Sequence, residues 1–291
     1  MNDRITVLVT GADGFIGRHL VPYLASLGYK VMAASRTEFA VERESIAAVQ
    51  LPDLSAAFDW DPLLQQCDAI VHLAGIAHKF ADDVSYDRVN YRATEALAHA
   101  ASRRGKHLVF VSSIAAQSGS FSDNELTEDS VPRPTNSYGR SKLAAEQSVR
   151  AAKAPFTILR PVVIYGDGEK GNFAIVHKIA RLPIPLPFGS LTAKRSILSI
   201  ENFSSAVALV LTDSRAIGET FIVSDPTPLT VSELIARYRT SMGRPAWLIP
   251  VPERWIEFSL KAVGQNEIWQ RIGKPLSVSP RKLLALGWKA S

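Results

Sequence analysis

The chain has 291 residues, 46% of them hydrophobic and 21% charged, with a formal net charge of +5. That length can bury a sizeable core in one large or two modest domains. The composition excludes several classes. No apolar run is long enough to span a membrane, and no charged-then-apolar leader is expected. Cys67 is the only cysteine, which excludes an internal disulfide; it reads as a small core residue, and cytoplasm is the expected compartment. Basic residues are scattered, without a dense run or nucleic-acid motif, so no nucleic-acid partner is expected. A positive surplus does suit phosphorylated ligands.

In chain order, Ile5-Thr6-Val7-Leu8-Val9-Thr10 has the apolar pattern of a buried parallel strand. Gly11-Ala12-Asp13-Gly14-Phe15-Ile16-Gly17 follows at once, and Arg18 to Leu27 reads as a helix. Strand, glycine turn and helix in this order are the context of dinucleotide binding. Glycines permit a tight turn and close backbone approach, and the helix N-terminus receives a pyrophosphate. The next strand, Lys30 to Ala34, ends in Ser35-Arg36. A chain selecting NAD usually places an acid there for the ribose 2′-hydroxyl, whereas a hydroxyl and a guanidinium suit a 2′-phosphate. NADP is the preferred cofactor on this reading, with NAD the alternative.

Beyond the Val49-Gln50-Leu51 region come Asp53-Leu54, a helical segment from Pro62 to Gln66 and an apolar run from Ala69 to Gly75. A helical pattern then covers Arg88 to Arg104, His107 to Ser113 reads as a strand, and so does Phe156 to Arg160. Alternating strands and helices imply an α/β fold with a doubly wound parallel sheet.

Between the last two strands lies Ser137-Tyr138-Gly139-Arg140-Ser141-Lys142. Four-residue spacing puts Tyr138 and Lys142 on one helical face. An ammonium beside a phenol favours the phenolate, so the expectation is a lowered tyrosine pKa and a usable general acid/base.

Together these motifs resemble those of the extended short-chain dehydrogenase/reductases, in the NAD(P)-dependent epimerase/dehydratase branch that acts on nucleotide sugars. The resemblance rests on the glycine turn, Asp53-Leu54, His72-Leu73-Ala74-Gly75, Asn90, Ser112-Ser113, Tyr138-x-x-x-Lys142 and Arg160-Pro161-x-x-x-Tyr165-Gly166. It implies a Rossmann-like domain over 1–165 and a smaller C-terminal substrate region over 166–291. A part of that region, about 196–223, is expected to return to the first domain. It also implies Ser113, Tyr138 and Lys142 as the catalytic set, with Ser112 the adjacent alternative for the serine; strand alternation allows only one of the two into the cleft. By the same resemblance Gly11, Asp13, Gly14, Phe15, Ile16, Gly17, Ser35 and Arg36 line the cofactor. Asp53 would contact the adenine amino group, Leu54 its ring, and Leu73, Ala74 and Gly75 the ribose and pyrophosphate path. Asn90 would hold the site through main-chain contacts, and Lys142 would also bond the nicotinamide ribose.

For the second half, the prolines of Leu182-Pro183-Ile184-Pro185-Leu186-Pro187-Phe188-Gly189 mark an extended segment. The resemblance makes Asn172, Arg195 and, less directly, Arg271 candidates for a UDP-sugar pyrophosphate. His72 and His78 read as structural or substrate-adjacent, and no metal site is expected. Trp255, Phe258 and Ala262 form a helical stripe that reads as core rather than a membrane face. A homodimer through the helices near 88–104 and 137–152 is implied. Three departures stand out: Asp167 after Tyr165-Gly166, the run Ser199-Ile200-Glu201-Asn202, and a length below that of most nucleotide-sugar 4-epimerases; separately, Ser113-Ile114-Ala115 offers no acid, which disfavours a dehydratase. The expected activity is reduction of a 4-keto UDP-hexosamine in surface-polysaccharide synthesis. A UDP-hexose 4-epimerase with tightly held NAD and a non-catalytic cofactor sensor are the alternatives.

Overall fold

The computed structural model describes residues 4–37, 43–77, 82–168 and 172–290, with side chains from 176 onward in the helix that begins at Asn172. The strands are β1 (Thr6–Thr10), β2 (Lys30–Ser35), β3 (Ile46–Gln50), β4 (Ala69–His72), β5 (His107–Val111) and β6 (Phe156–Pro161). They continue with β7 (Val163–Tyr165), β8 (Lys194–Arg195), β9 (Ile197–Ser199), β10 (Glu219–Val223) and β11 (Leu229–Thr230). The helices are α1 (Phe15–Ser26), α2 (Asp61–Leu64), α3 (Asp83–Tyr86), α4 (Ala93–Arg104), α5 (Ser137–Ala151) and α6 (Asn172–Ala180). After them come α7 (Ile200–Thr212), α8 (Val231–Ser241), α9 (Glu253–Ala262), α10 (Asn266–Gly273) and α11 (Arg281–Ala285).

Seven strands form a sheet in the order β10-β6-β5-β4-β1-β2-β3, and every pair is parallel. The apolar strands explain why. Alternate residues enter opposite faces, so Val7, Val9, Val71 and Val109 join one core with Leu20, Leu24 and Phe203. Leu8, Ile70, Leu108 and Phe110 join the other, with Leu97 and Val149. Helices cover both faces, and no strand of the central five can afford a polar side. The β1–β4 adjacency is where the strand order reverses, which opens a crevice at the carboxyl ends of these strands. Cys67 lies in the second core, where burial pushes its thiol up to about 11.

The C-terminal part has its own small core of Ala180, Leu186, Leu191, Val231, Ile235, Ile256 and Trp269. Here the stripe expectation is corrected. Ile256 and Leu260, four apart, form the inward line of α9. Trp255 and Phe258 fall off that line and are 57% and 67% exposed; Ala262 is exposed too. β10 returns to the main sheet beside β6, and α7 packs in the core that also holds α1.

Candidate active site

The glycine turn is shaped by contacts that a side chain would obstruct. Gly11 has φ +71°, and a Cβ on it would meet the Ala74 nitrogen at 2.9 Å. A Cβ on Gly17 would sit 2.5 Å from the Gly11 carbonyl oxygen, so α1 can press this close to β1 only as glycine. Helix α1 starts at Gly14 with no side-chain cap and no acid in its first turn. Its N–H groups and dipole are therefore left for an anion. A dinucleotide pyrophosphate fits this cradle. Phe15 and Ile16 are partly buried against the first core, and the Asp13 carbonyl accepts from Arg18 Nε at 2.9 Å.

After β3, Asp53 accepts from the Ser55 backbone, and this bond holds its carboxyl below the usual range; the charge of Arg36 lowers it further. Arg36 is exposed and near enough to act on Asp53, while Leu54 is buried in the second core. Ser35 is buried, and its hydroxyl donates to the Thr37 carbonyl at 2.5 Å, a bond within the turn.

Beyond β4, a chain of hydrogen bonds fixes the Leu73-Ala74-Gly75 segment. Ala74 N donates to Thr10 Oγ1 at 3.2 Å, and Thr10 Oγ1 lies 2.7 Å from His72 Nδ1. His72 Nε2 lies 3.1 Å from Thr94 Oγ1, which donates to the Asn90 carbonyl at 2.7 Å. Each hydroxyl has one proton, so the chain assigns the neutral tautomer with hydrogen on Nε2. Complete burial agrees, since it pulls the His72 pKa down to about 3, with Lys142 adding to the effect. His72 is thus structural. Thr10 and Thr94, its partners, are invisible to motif reading.

Asn90 sits in a π-helical turn, Asp87–Arg92, of the kind often found at functional sites. Its amide clasps the backbone after Gly75: Oδ1 accepts from Ile76 N at 2.7 Å and Nδ2 donates to Ile76 O at 3.0 Å. Nδ2 also reaches Ser141 Oγ at 3.1 Å, tying this loop to α5. A Cβ on Gly75 would stand 2.9 Å from Asn90 Oδ1.

The two serines after β5 separate as strand alternation demands. Ser112 is buried and donates to Glu146 Oε1 at 2.6 Å. Glu146 is in turn gripped by Arg160, at 2.9 Å from Nε and 2.6 Å from Nη2. This explains the Arg160-Pro161 motif as a buried two-pronged ion pair that pins α5 to β6. Ser113 points the other way, capping the turn Ile114–Ala116 by accepting from Ala115 N at 3.1 Å. Its hydroxyl is near enough to Tyr138 to hold the phenol's pKa down against burial.

Two features missed by motif reading place Tyr138. Asn136 caps α5 through Gly139 N at 2.8 Å. Gly139 then lets the helix abut the serine turn, for its missing Cβ would lie 2.1 Å from the Ala115 carbonyl oxygen. The ring of Tyr86 stands 6.1 Å from that of Tyr138.

The electrostatics correct the expected tyrosine–lysine coupling. Burial, foremost, raises the Tyr138 pKa, and Lys142 is not among the causes. Lys142 Nζ instead donates to Val111 O at 3.0 Å and lies 4.9 Å from the Phe110 ring centre. Burial brings its own pKa down to about 8, with Glu146 opposing. The resting tyrosine is a phenol, a proton donor.

In the second half, Arg195 Nη1 donates to the Lys274 carbonyl at 2.6 Å and Nη2 to the Ser120 carbonyl at 2.9 Å. Burial lowers its pKa to about 10, and the nearby charge of Arg271 lowers it as well. The two candidate arginines are therefore brought together; Arg271 also pairs with Glu267. The Asn172 side chain and His78 lie outside what is described. The departing run has a structural explanation: Asn202 Nδ2 donates to Asp225 at 2.7 Å, and Ser199 Oγ caps α7. Asp225 also accepts from the Tyr165 hydroxyl at 3.2 Å. Among the described residues, no group of His, Cys, Asp and Glu is arranged to hold a metal ion.

This fold and site define an NAD(P)-binding enzyme of the short-chain dehydrogenase/reductase type. Comparison specifies the family. Residues 7–224 match the NAD dependent epimerase/dehydratase family, and the chain belongs to it. It is 30% identical over 297 aligned residues to a UDP-glucose 4-epimerase from Vibrio cholerae, covering 98% of this chain and 90% of that one. It is also 30% identical over 289 residues to a 2′-dehydrokanamycin reductase from Streptomyces kanamyceticus, covering 93% and 77%. Among solved structures, MoeE5 in complex with UDP-glucuronic acid and NAD shares the fold, with a TM-score of 0.77 at 24% identity over 98% of this chain and 94% of that one.

Proposed function

We infer that the protein reduces the 4-keto group of a UDP-linked 6-deoxyhexosamine, using NADPH, in cytoplasmic sugar synthesis for surface polysaccharide. The observation that carries this reading is Arg36, exposed beside Asp53 where a chain selecting NAD would place an acid. Relatives in the family include a UDP-glucose 4-epimerase and a 2′-dehydrokanamycin reductase, and the UDP-sugars of the epimerase and of MoeE5 support a UDP-sugar.

Bound NADPH supplies the hydride. The chain's residues do the rest. Gly11, Gly14 and Gly17 admit the pyrophosphate against α1, and Asn90 holds the loop beside it. Ser113 and Tyr138 hydrogen-bond the substrate oxygen, and the Tyr138 phenol gives its proton to that oxygen as charge develops. The ammonium of Lys142 lies deeper, where its bond to Val111 O keeps it aligned along α5. Arg195 with Arg271 and Asn172 take the substrate pyrophosphate. A homodimer through α4 and α5 accompanies the reading.

Purified protein given NADPH and a UDP-4-keto-6-deoxyhexosamine is expected to consume one NADPH per sugar, read at 340 nm. Absence of any absorbance loss contradicts the reductase. The second reading, a UDP-hexose 4-epimerase, is favoured by the Vibrio cholerae relative. It predicts protein that carries NAD through purification and interconverts UDP-glucose and UDP-galactose without added reductant.

A further inference from the structure

The C-terminal region carries a group of exposed apolar side chains. Leu182, Ile184, Trp247 and Ile249 are between 44% and 55% exposed, and two chain segments join them into one platform. Leu186 N donates to Trp247 O at 2.9 Å, Ile249 N to Leu186 O at 2.8 Å, and Gly189 N to Ile249 O at 3.0 Å. Trp255 and Phe258, also exposed, follow a few residues later on α9. Large aromatic and branched side chains clustered outside a core mark a contact surface more often than a random exposure does.

The platform is built, not loose. Arg239 is almost wholly buried, and its guanidinium donates only to main-chain carbonyls: Ala180 at 3.1 Å, Leu182 at 2.9 Å, Ile184 at 2.8 Å and Ala246 at 2.9 Å. One cation thus staples the two segments that display the apolar side chains. Trp247 is held at φ +42°, a left-handed conformation that a bulky residue adopts only under constraint. Its side chain is nevertheless turned outward.

Two stretches of the platform carry cations without acids. Between Glu169 and Glu201 the chain contains no acid, and between Glu233 and Glu253 it contains none either. Those stretches carry Lys178, Arg181 and Arg244, all exposed, and among the described residues none of the three has a carboxylate within ion-pair distance. Of the acids of α9, Glu257 pairs with Lys261 at 2.7 Å, whereas Glu253 accepts from Thr192, a neutral donor, and keeps its charge. Arg254 lies over the Trp255 ring, its guanidinium 5.9 Å from the centre.

We propose that this face docks on the surface of an anionic phospholipid bilayer. Tryptophan, phenylalanine and branched side chains partition into the headgroup boundary, and unpaired Arg and Lys at the rim meet lipid phosphates. A second copy of the chain is the poorer occupant, because two such faces would bring their cations together. No helix of the described residues is long and apolar enough to cross a membrane, so the contact is interfacial.

The test is flotation of the full-length protein with vesicles of 30% phosphatidylglycerol and 70% phosphatidylethanolamine, against vesicles of phosphatidylcholine alone. The expected result is co-flotation with the anionic vesicles only, weakened in 0.5 M NaCl. Leu182→Ser/Ile184→Ser and Trp255→Ser/Phe258→Ser should each lower the bound fraction about tenfold or more. Since these side chains are exposed, the variants should keep their melting temperature and their NAD(P)H binding, which separates lost docking from lost folding. Equal flotation of wild type and variants overturns the proposal. So does the absence of wild-type flotation, including the case in which sedimentation shows a dimer that the Trp255→Ser/Phe258→Ser variant loses. Turnover is not the readout, so the result stands apart from the choice of substrate.

Discussion

Replacing Gly139 by alanine asks whether the Ser113–Tyr138 pairing depends on how closely α5 approaches the turn after β5. The added Cβ would lie 2.1 Å from the Ala115 carbonyl oxygen and 3.0 Å from both the Ala115 carbonyl carbon and Pro134 Cβ. Non-bonded carbon and oxygen do not approach closer than about 3 Å, so helix and turn must part by roughly 1 Å. Overpacking of this kind costs about 1–3 kcal/mol, and alanine returns about 0.5–1 kcal/mol of helix propensity. The net loss, about 0–2.5 kcal/mol, leaves the protein folded, with a melting temperature lower by up to roughly 10 °C. Activity should suffer more. A 1 Å displacement of a positioned group can cost about 100-fold, so kcat is expected to fall by roughly that factor. Cofactor affinity should change less than kcat, because the glycine turn lies elsewhere on the sheet and only the contact expected of Lys142 moves with α5. The assay is NADPH consumption beside fluorescence titration of NADPH. A kcat within twofold of wild type, with the helix intact, would refute the reasoning.

Other consequences follow from the buried groups. Glu146→Gln leaves the Arg160 charge buried with half its partner gone; a loss of about 3–5 kcal/mol is expected, measured by urea denaturation. His72, with a folded pKa of about 3 against an ordinary 6.5, favours the folded state above pH 6.5. Below that, the unfolded chain takes up the proton first, so stability falls by about 1.4 kcal/mol per pH unit. Denaturation at pH 7 and pH 5 should therefore show a steeper loss in wild type than in His72→Gln, and equal slopes would contradict the assignment. Arg36→Ala should raise the KM for NADPH about 10- to 100-fold and leave that for NADH nearly unchanged, as loss of a charged hydrogen bond implies.

Much of the fold was legible because buried parallel strands announce themselves as apolar runs, and the glycine turn leaves a spacing that few other structures need. The edge strand β3 was not read as one; its residues are half exposed, and only its pairing with β2 makes it a strand. The motifs drew attention to Ser113, Tyr138 and Asn90 because chemistry of this kind needs fixed residue types. It was illegible where a role depends on contacts distant in sequence. Glu146 meets Ser112 across 34 residues, and Thr10 meets His72 across 62. The tyrosine–lysine spacing was read correctly as geometry, but it could not show that Lys142 turns to the Val111 carbonyl. The outward placement of Trp255 and Phe258 was misread, because a helical stripe does not say which of two lines faces the core.

The central claim is that Tyr138 delivers or removes the proton at a substrate oxygen while hydride moves. Single-turnover measurement of Tyr138→Phe with NADPH and the UDP-4-keto sugar tests it most directly. The account predicts hydride transfer slowed by about 10²- to 10⁴-fold, with NADPH binding unchanged. Transfer at the wild-type rate would contradict it.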